Sequence, residues 1–214
     1  MKFIICYLLL TCSFFAQTHN EDTTITSTSY GIYCGVNVNK NMFVSNAFLI
    51  EGKVFLTKNI FAKINIGYYR TVVKDSYRVF SFKYIQIQDY KKYNTVYYDV
   101  MKTQYDVFPI SIGSLYLYRS SPLNYYAGID ISYNLIDPFQ YRTSEKIINE
   151  FDSINDIPNV YKNIVVLPNG SYSVTLGAGA IFHFTANLYL DVRYIFKYDN
   201  ELINSHQILI GINI

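Results

Sequence analysis

The sequence predicts an all-β protein, specifically an eight-stranded antiparallel up-and-down transmembrane β-barrel. Three observations carry that expectation. Apolar and polar residues alternate with period two in eight separate runs. The face opposite the apolar one is rich in Gly, Ser, Thr and Asn and holds few Lys or Glu. The connections between runs alternate between short and long.

Composition narrows the alternatives. The 214 residues include 23 Tyr and 15 Phe but only 16% charged side chains, more aromatic surface than a disordered chain carries. A formal net charge of +2 excludes a strongly basic nucleic-acid binder and an acidic tail protein. Beyond the first residues, no window of about 18 uncharged apolar residues could form a spanning helix.

Taken in chain order, Lys2 precedes the apolar stretch Phe3–Leu10, and Ala16 precedes polar Gln17. This is the layout of a secretory signal peptide, so residues 1–16 are expected to be a leader and 17–26 a short tail, with the barrel at 27–214. Leu9-Leu10-Thr11-Cys12 loosely resembles a lipobox, but Thr11 is a poor residue before the cysteine and Ser13-Phe14-Phe15 stays apolar. Removal of the leader leaves Cys34 as the single cysteine, which excludes an intrachain disulfide and a cysteine-based zinc site.

The eight runs follow. They span 29–38, 47–57, 60–71, 105–118, 125–135, 172–184, 188–197 and 207–214. Their apolar faces are typified by Ile32 and Cys34, Phe48 and Ile50, Ile64 and Ile66, Ile110 and Ile112, Ile129 and Ile131, Val174 and Leu176, Val192 and Phe196, and Ile208 and Ile210. Pro109 removes a ladder donor, so a bulge or local break is expected there. Short turns are expected near 57–59, 119–124 and 185–187, a modest loop at 39–46, and long loops at 74–104 and 136–171. Within the second long loop, TSEKIINEF (143–151) could form a brief helix capped by Thr143 or Ser144.

Alternation alone leaves open which face is wet. A glycine-rich polar face is odd for a solvated surface, and seven of the ten glycines lie on it (31, 35, 67, 128, 177, 179 and 211). In an eight-stranded lumen, glycine leaves room for inward Tyr33, Tyr69, Tyr126 and Arg193. Tyr30, Tyr68, Tyr125, Tyr133, Tyr172 and Tyr194 sit on the apolar face in a way that suits interfacial girdles. Closure would satisfy every backbone donor in lipid.

The segments FPISIGSLYLY, NYYAGIDISYNLI, YSVTLGAGAIFHFTANLYLDVRYIFKY and HQILIGINI, in that order, resemble the small outer-membrane β-barrel domain family of OmpX and the OmpA transmembrane domain. The chain departs from that family's usual aromatic last residue at Ile214. The resemblance implies an outer-membrane location, outer-membrane lipid and the barrel-assembly machinery as partners, and a monomer.

The inward charges Glu51, Lys53, Lys63, Asp130, Asp191 and Arg193, with Lys197, are expected to form a lumen polar network, because an unpaired buried charge is costly. Asp191 and Arg193 share one face and can support each other. No catalytic, cofactor or metal site is expected. Ser205 and His206 are neighbours on a strand and face opposite sides, which spoils a nucleophile–base pair. GAGAIF (177–182) lacks the last glycine of a phosphate-binding fingerprint.

The 76–107 segment reads as strands continuing past the membrane into a protruding hairpin that turns at DYKKYN (89–94). Tyr84, Tyr90, Tyr93 and Tyr97, with Lys91 and Lys92 at the tip, form a candidate partner-binding surface by strand addition. A plain surface loop explains the same residues equally well, and counting 77–88 as a spanning strand would give ten. The expected function is a structural or surface-interaction role through the long loops. A narrow channel or small-ligand carrier, and a lipid-modifying enzyme, are the alternatives.

Overall fold

In the computed structural model, the described residues are 28–214 except 42, 75, 88–89, 121–122, 163–165 and 185–187, and the side chains of Ile87 and Tyr90 are also outside the description. The expected leader, the tail and Cys12 therefore lie outside the described residues.

Among the described residues ten strands form: β1 (Thr28–Asn39), β2 (Val44–Phe55), β3 (Ile60–Val73), β4 (Tyr77–Ile87), β5 (Tyr90–Tyr118), β6 (Leu123–Arg142), β7 (Lys146–Phe151), β8 (Gly170–His183), β9 (Tyr189–Asp199) and β10 (Ser205–Asn213). Eight of them close the barrel, in the order β3-β2-β1-β10-β9-β8-β6-β5 with β5 returning to β3. Every ladder is antiparallel. The barrel therefore has the eight strands that the alternation predicts, and the ten-strand count fails because β4 and β7 stand outside the ring. Closure removes the two edges that an open sheet would expose.

The facing settles which side is wet. Ile112 and Ile131 on the outer wall are 65% and 61% exposed, whereas Asp130 and Arg193 are 5% and 3% exposed. This is an inside-out arrangement, with an apolar exterior and a polar interior. Tyr116, Tyr118 and Tyr125 ring the end that carries the short turns and Ile214, while Tyr133, Tyr172 and Tyr198 lie outward toward the other end. The lumen is less uniformly polar than the alternation suggests. Phe61, Leu115, Leu117, Tyr126 and Ile181 cluster inside one end, and Tyr33, Tyr69, Val107, Ile195 and Leu209 cluster further along.

At Pro109 the β5–β6 ladder runs through without a shift. The β3–β5 ladder is interrupted between the Ile66–Ile110 and Tyr69–Val107 pairs and resumes in the same register. The missing N–H thus costs a local gap rather than a bulge. The modest loop expected at 39–46 is tighter, because Val38 already pairs with Val44.

The brief helix expected over 143–151 does not form. Residues 146–151 are β7, paired with Tyr93–Tyr97 of β5. The Ile-Ile pair finds a ready-made strand edge there, and tertiary pairing overrides local propensity. The long loop expected at 74–104 is likewise mostly strand.

Candidate functional site

Two regions hold the residues that the sequence marks. The first is the charged layer in the lumen. Arg193 on β9 points across the barrel at Glu51 on β2, and its Nη1 and Nη2 donate to Oε2 and Oε1 at 2.8 and 2.9 Å. Nη2 also donates to Asp191 Oδ2 at 2.6 Å. The guanidinium carbon sits 3.7 Å from the centroid of the Tyr33 ring. Paired fork geometry of this kind is the strongest form of a carboxylate–guanidinium contact.

The other marked charges gather on the same carboxylate. Lys53 Nζ lies 3.2 Å from Glu51 Oε1 and donates to Asn213 Oδ1 at 2.8 Å. Lys63 Nζ donates to Asp130 Oδ2 at 3.0 Å and lies 3.8 Å from Glu51 Oε2. Tyr126 donates to Asp191 Oδ1 at 2.6 Å, and the Tyr33 hydroxyl lies within 3.1 Å of Glu51, Asp191 and Asn213. Three acids and three bases thus share one buried layer, so the lumen carries its charges as a balanced set. All six lie on strands whose opposite faces are apolar, and the pleat alone aims them inward.

Lys197, expected in the same network, instead belongs to a second polar layer whose other members the sequence did not mark. Lys197 Nζ donates to Asn134 Oδ1 at 2.8 Å, and the Asn134 amide donates to Asp199 Oδ2 at 2.7 Å. The other Asp199 oxygen accepts from the backbone of Glu201 and Leu202 and shapes the β9–β10 turn. Asp199 continues the inward parity of Asp191, Arg193 and Lys197, which was the available signal. Tyr33, Asn213 and Asn134 gave no charge signal at all.

The second region is an extension of the wall. β5 is 29 residues long and outruns the barrel. β4 pairs with it from Tyr77–Val100 to Ile87–Tyr90, and β7 covers its other side. The result is a three-stranded sheet, β4-β5-β7, standing beyond the membrane belt. A register shift between Val100 and Lys102 sets it off from the barrel. Below the shift Val107, Ser111 and Leu115 are buried, and above it Val96 and Val100 are. One extra residue, Met101, thus swaps the facing of the strand.

This sheet corrects two expectations. The chain reverses between Ile87 and Tyr90, not across 89–94, so Lys91 and Lys92 sit in the ladder opposite Gln86 and Ile85. The hairpin also has one open edge rather than two, because β7 occupies the far side of β5. Lys92 is paired with Glu150 of β7 at 3.0 Å. Tyr84 and Tyr93 pack with ring centroids 5.3 Å apart, and the Arg78 guanidinium lies 4.4 Å from the Tyr97 ring. The side chain of Tyr90 lies outside the described residues.

Among the described residues, no group of His, Cys, Asp and Glu could hold a metal ion, and no helix is long and apolar enough to cross a membrane. No protein-family model and no curated protein matches the chain. Among solved structures it is similar to Neisserial surface protein A, at 11% identity and a TM-score of 0.51, over 87% of this chain and 94% of that one. It is also similar to the N-terminal β-barrel domain of Pseudomonas aeruginosa OprF (12% identity, TM-score 0.45, 87% and 97%). Ail of Yersinia pestis aligns at 9% identity and a TM-score of 0.44, over 88% and 97%. The first likeness, joined to the closed ring and its apolar exterior, establishes the fold: the chain is a small transmembrane β-barrel of the outer-membrane type.

Proposed function

We propose that the protein is an integral outer-membrane barrel whose lumen is closed and whose working part is the β4-β5-β7 wall extension, which binds a partner polypeptide at the β4 edge. The observation that carries this reading is a paired sheet continuing past the apolar belt, in which β5 is β4's one ladder partner among the described residues, the other contacts of β4 being through side chains such as Tyr77 with Gln140 and Lys83 with Glu145. Such an edge presents a row of backbone donors and acceptors to an extended segment. Charged Arg78 and Lys83 on β4 guard it against indiscriminate pairing. The Tyr84–Tyr93 pair beside it supplies contact area at low entropic cost.

A closed lumen is supported by the near-complete burial of Tyr33, Glu51 and Arg193 at mid-barrel. This argues against a diffusion pore. The reading includes no catalytic step. Ser205 faces the lumen, and His206 faces outward, bonded to the Tyr194 hydroxyl.

The test is a hairpin deletion, removing residues 80–97, compared with the full chain in intact cells. The deletion variant should still fractionate with the outer membrane and migrate differently before and after boiling. It should also lose the capture of extracellular polypeptides that the full chain shows. Equal capture by both would defeat the reading.

A further inference from the structure

We infer that the partner at the β4 edge is a second copy of this chain in a facing membrane, paired through β4 itself; this rests on the reading of that edge as a binding site. Among the described residues β5 is the one ladder partner of β4, and no turn or loop group bonds the β4 backbone. The cations of β4 are already matched, Arg78 by Asp99 and Lys83 by Glu145. An acidic segment therefore gains little there, and the edge fits a neutral, aromatic strand. β4 is such a strand. One of its faces carries Phe80, Phe82 and Tyr84, all at least partly exposed and packed on Tyr97, Tyr161 and Tyr93.

The sequence of β4 is complementary to itself. Two identical antiparallel strands are related by a two-fold axis, and directly opposed residues point to the same face. The axis therefore passes through a residue rather than between two. Centred on Phe82, the middle of Tyr77–Ile87, the register pairs all 11 residues of the strand. Phe82 then meets Phe82 of the other copy, Phe80 meets Tyr84, Val79 meets Ile85, Ser81 meets Lys83 and Arg78 meets Gln86. Aromatic and β-branched pairs of this kind stabilise a sheet, and no cation lies opposite a cation. A register centred on Lys83 is penalised, because it opposes two ammonium groups.

The same symmetry selects the membrane. β5 runs as one strand of 29 residues from the barrel into the extension, so β4 follows the wall outward. The two-fold axis of an antiparallel pair is normal to the sheet, hence lies along the membrane plane, and it inverts the second barrel. Two copies in one bilayer are instead related by an axis along the membrane normal. That axis sets each β4 residue level with itself but facing the opposite way, so the pleats do not mesh. The pair therefore bridges two membranes, with an overlap of about 35 Å at ~3.3 Å per residue.

The test uses the chain expressed from residue 17 and folded into phosphatidylcholine vesicles. Vesicles carrying the protein should cluster with one another and leave protein-free vesicles, labelled with a second dye, dispersed. Gln86→Arg, which opposes Arg78 on both sides of the axis, should abolish clustering while boiled and unboiled migration still differ. In a Cys34→Ser background, Phe82→Cys should give a disulfide dimer under copper-phenanthroline oxidation, since opposed Cα atoms lie ~4.5–5.5 Å apart. Ile85→Cys should stay monomeric, because the residue opposite it is Val79. Protein-bearing vesicles that stay dispersed would overturn the inference, as would recruitment of protein-free vesicles or an Ile85→Cys dimer. So would a Phe82→Cys dimer without clustering, since the pair would then lie within one bilayer. Dispersed vesicles combined with intact capture of extracellular polypeptides through residues 80–97 would overturn the second copy and leave the edge as a binding site. Absence of both would remove the edge as well.

Discussion

Arg193 bridges two of the buried lumen carboxylates, and its worth follows from what its loss would strand. Glu51 and Asp191 would remain buried without their strongest partner. Breaking a buried pair from one side typically costs about 3–5 kcal/mol. Arg193→Met should therefore lower the urea midpoint of unfolding markedly. The double variant Glu51→Gln with Arg193→Met should recover part of that loss, because it removes charge from both sides. A single substitution with no effect would mean that water, not protein, solvates the layer. Glycine gives a second contrast at this scale. A Cβ at Gly211 would overlap the Tyr33 ring, which the network needs in place, while at Gly177 nothing lies closer than 3.7 Å. Gly211→Ala should destabilise the barrel and Gly177→Ala should leave its midpoint nearly unchanged.

At the scale of the element, the wall extension should behave as a unit separate from the barrel. The one-residue offset at Met101 separates two facings of β5, so removing Met101 should put Val96 and Val100 on the wrong side of the sheet. Limited proteolysis should then cut within 77–100 while the barrel keeps its heat-dependent migration. The extension should also respond to acid. Arg78 Nε and Nη2 donate to the Asp99 carboxylate at 2.7 and 3.2 Å and hold its pKa below the ordinary carboxylate value. A depressed folded-state value means the contribution is complete above the unfolded pKa, near pH ~4, and fades as pH falls through the folded one. The pair is exposed, so the effect is small. The protection factors of the β4 amides, taken against the intrinsic exchange rate at each pH, should be flat from neutrality to about pH 5 and should fall relative to Asp99→Asn only below that.

Much of the ring was legible because strand facing follows a simple parity that a sequence displays directly. Ile129, Asp130 and Ile131 already alternate as they do in the wall, and the inward parity of Glu51 and Arg193 put both in the lumen. Parity fails where one residue is inserted, as at Met101, and where pairing depends on a distant edge, as for Lys146–Phe151. Parity put Tyr33 in the lumen, but it is silent on the networks that Tyr33 and Asn134 join there, which rest on shape and hydrogen bonding rather than charge.

For the whole molecule, the decisive physical quantity is the medium against the outer wall, and the chain carries its own probe of it. Cys34 lies on the exposed face of β1, between Phe48 of β2 and Ile210 of β10 in the ladders. Both neighbours are large, apolar and about half exposed. That surface would be unstable in water and is stable only against hydrocarbon. In a chain expressed from residue 17, Cys34 is the single cysteine, so a nitroxide can be attached there without further substitution. After folding into a bilayer, the label should collide frequently with dissolved oxygen, which concentrates in acyl chains, and rarely with a water-soluble nickel chelate. Moving the label to Val166, which is 84% exposed and outside the barrel strands, should reverse the ratio. High nickel accessibility at Cys34 in the folded, heat-modifiable protein would place water against the apolar wall, and no hydrocarbon-facing arrangement of these strands would survive that result.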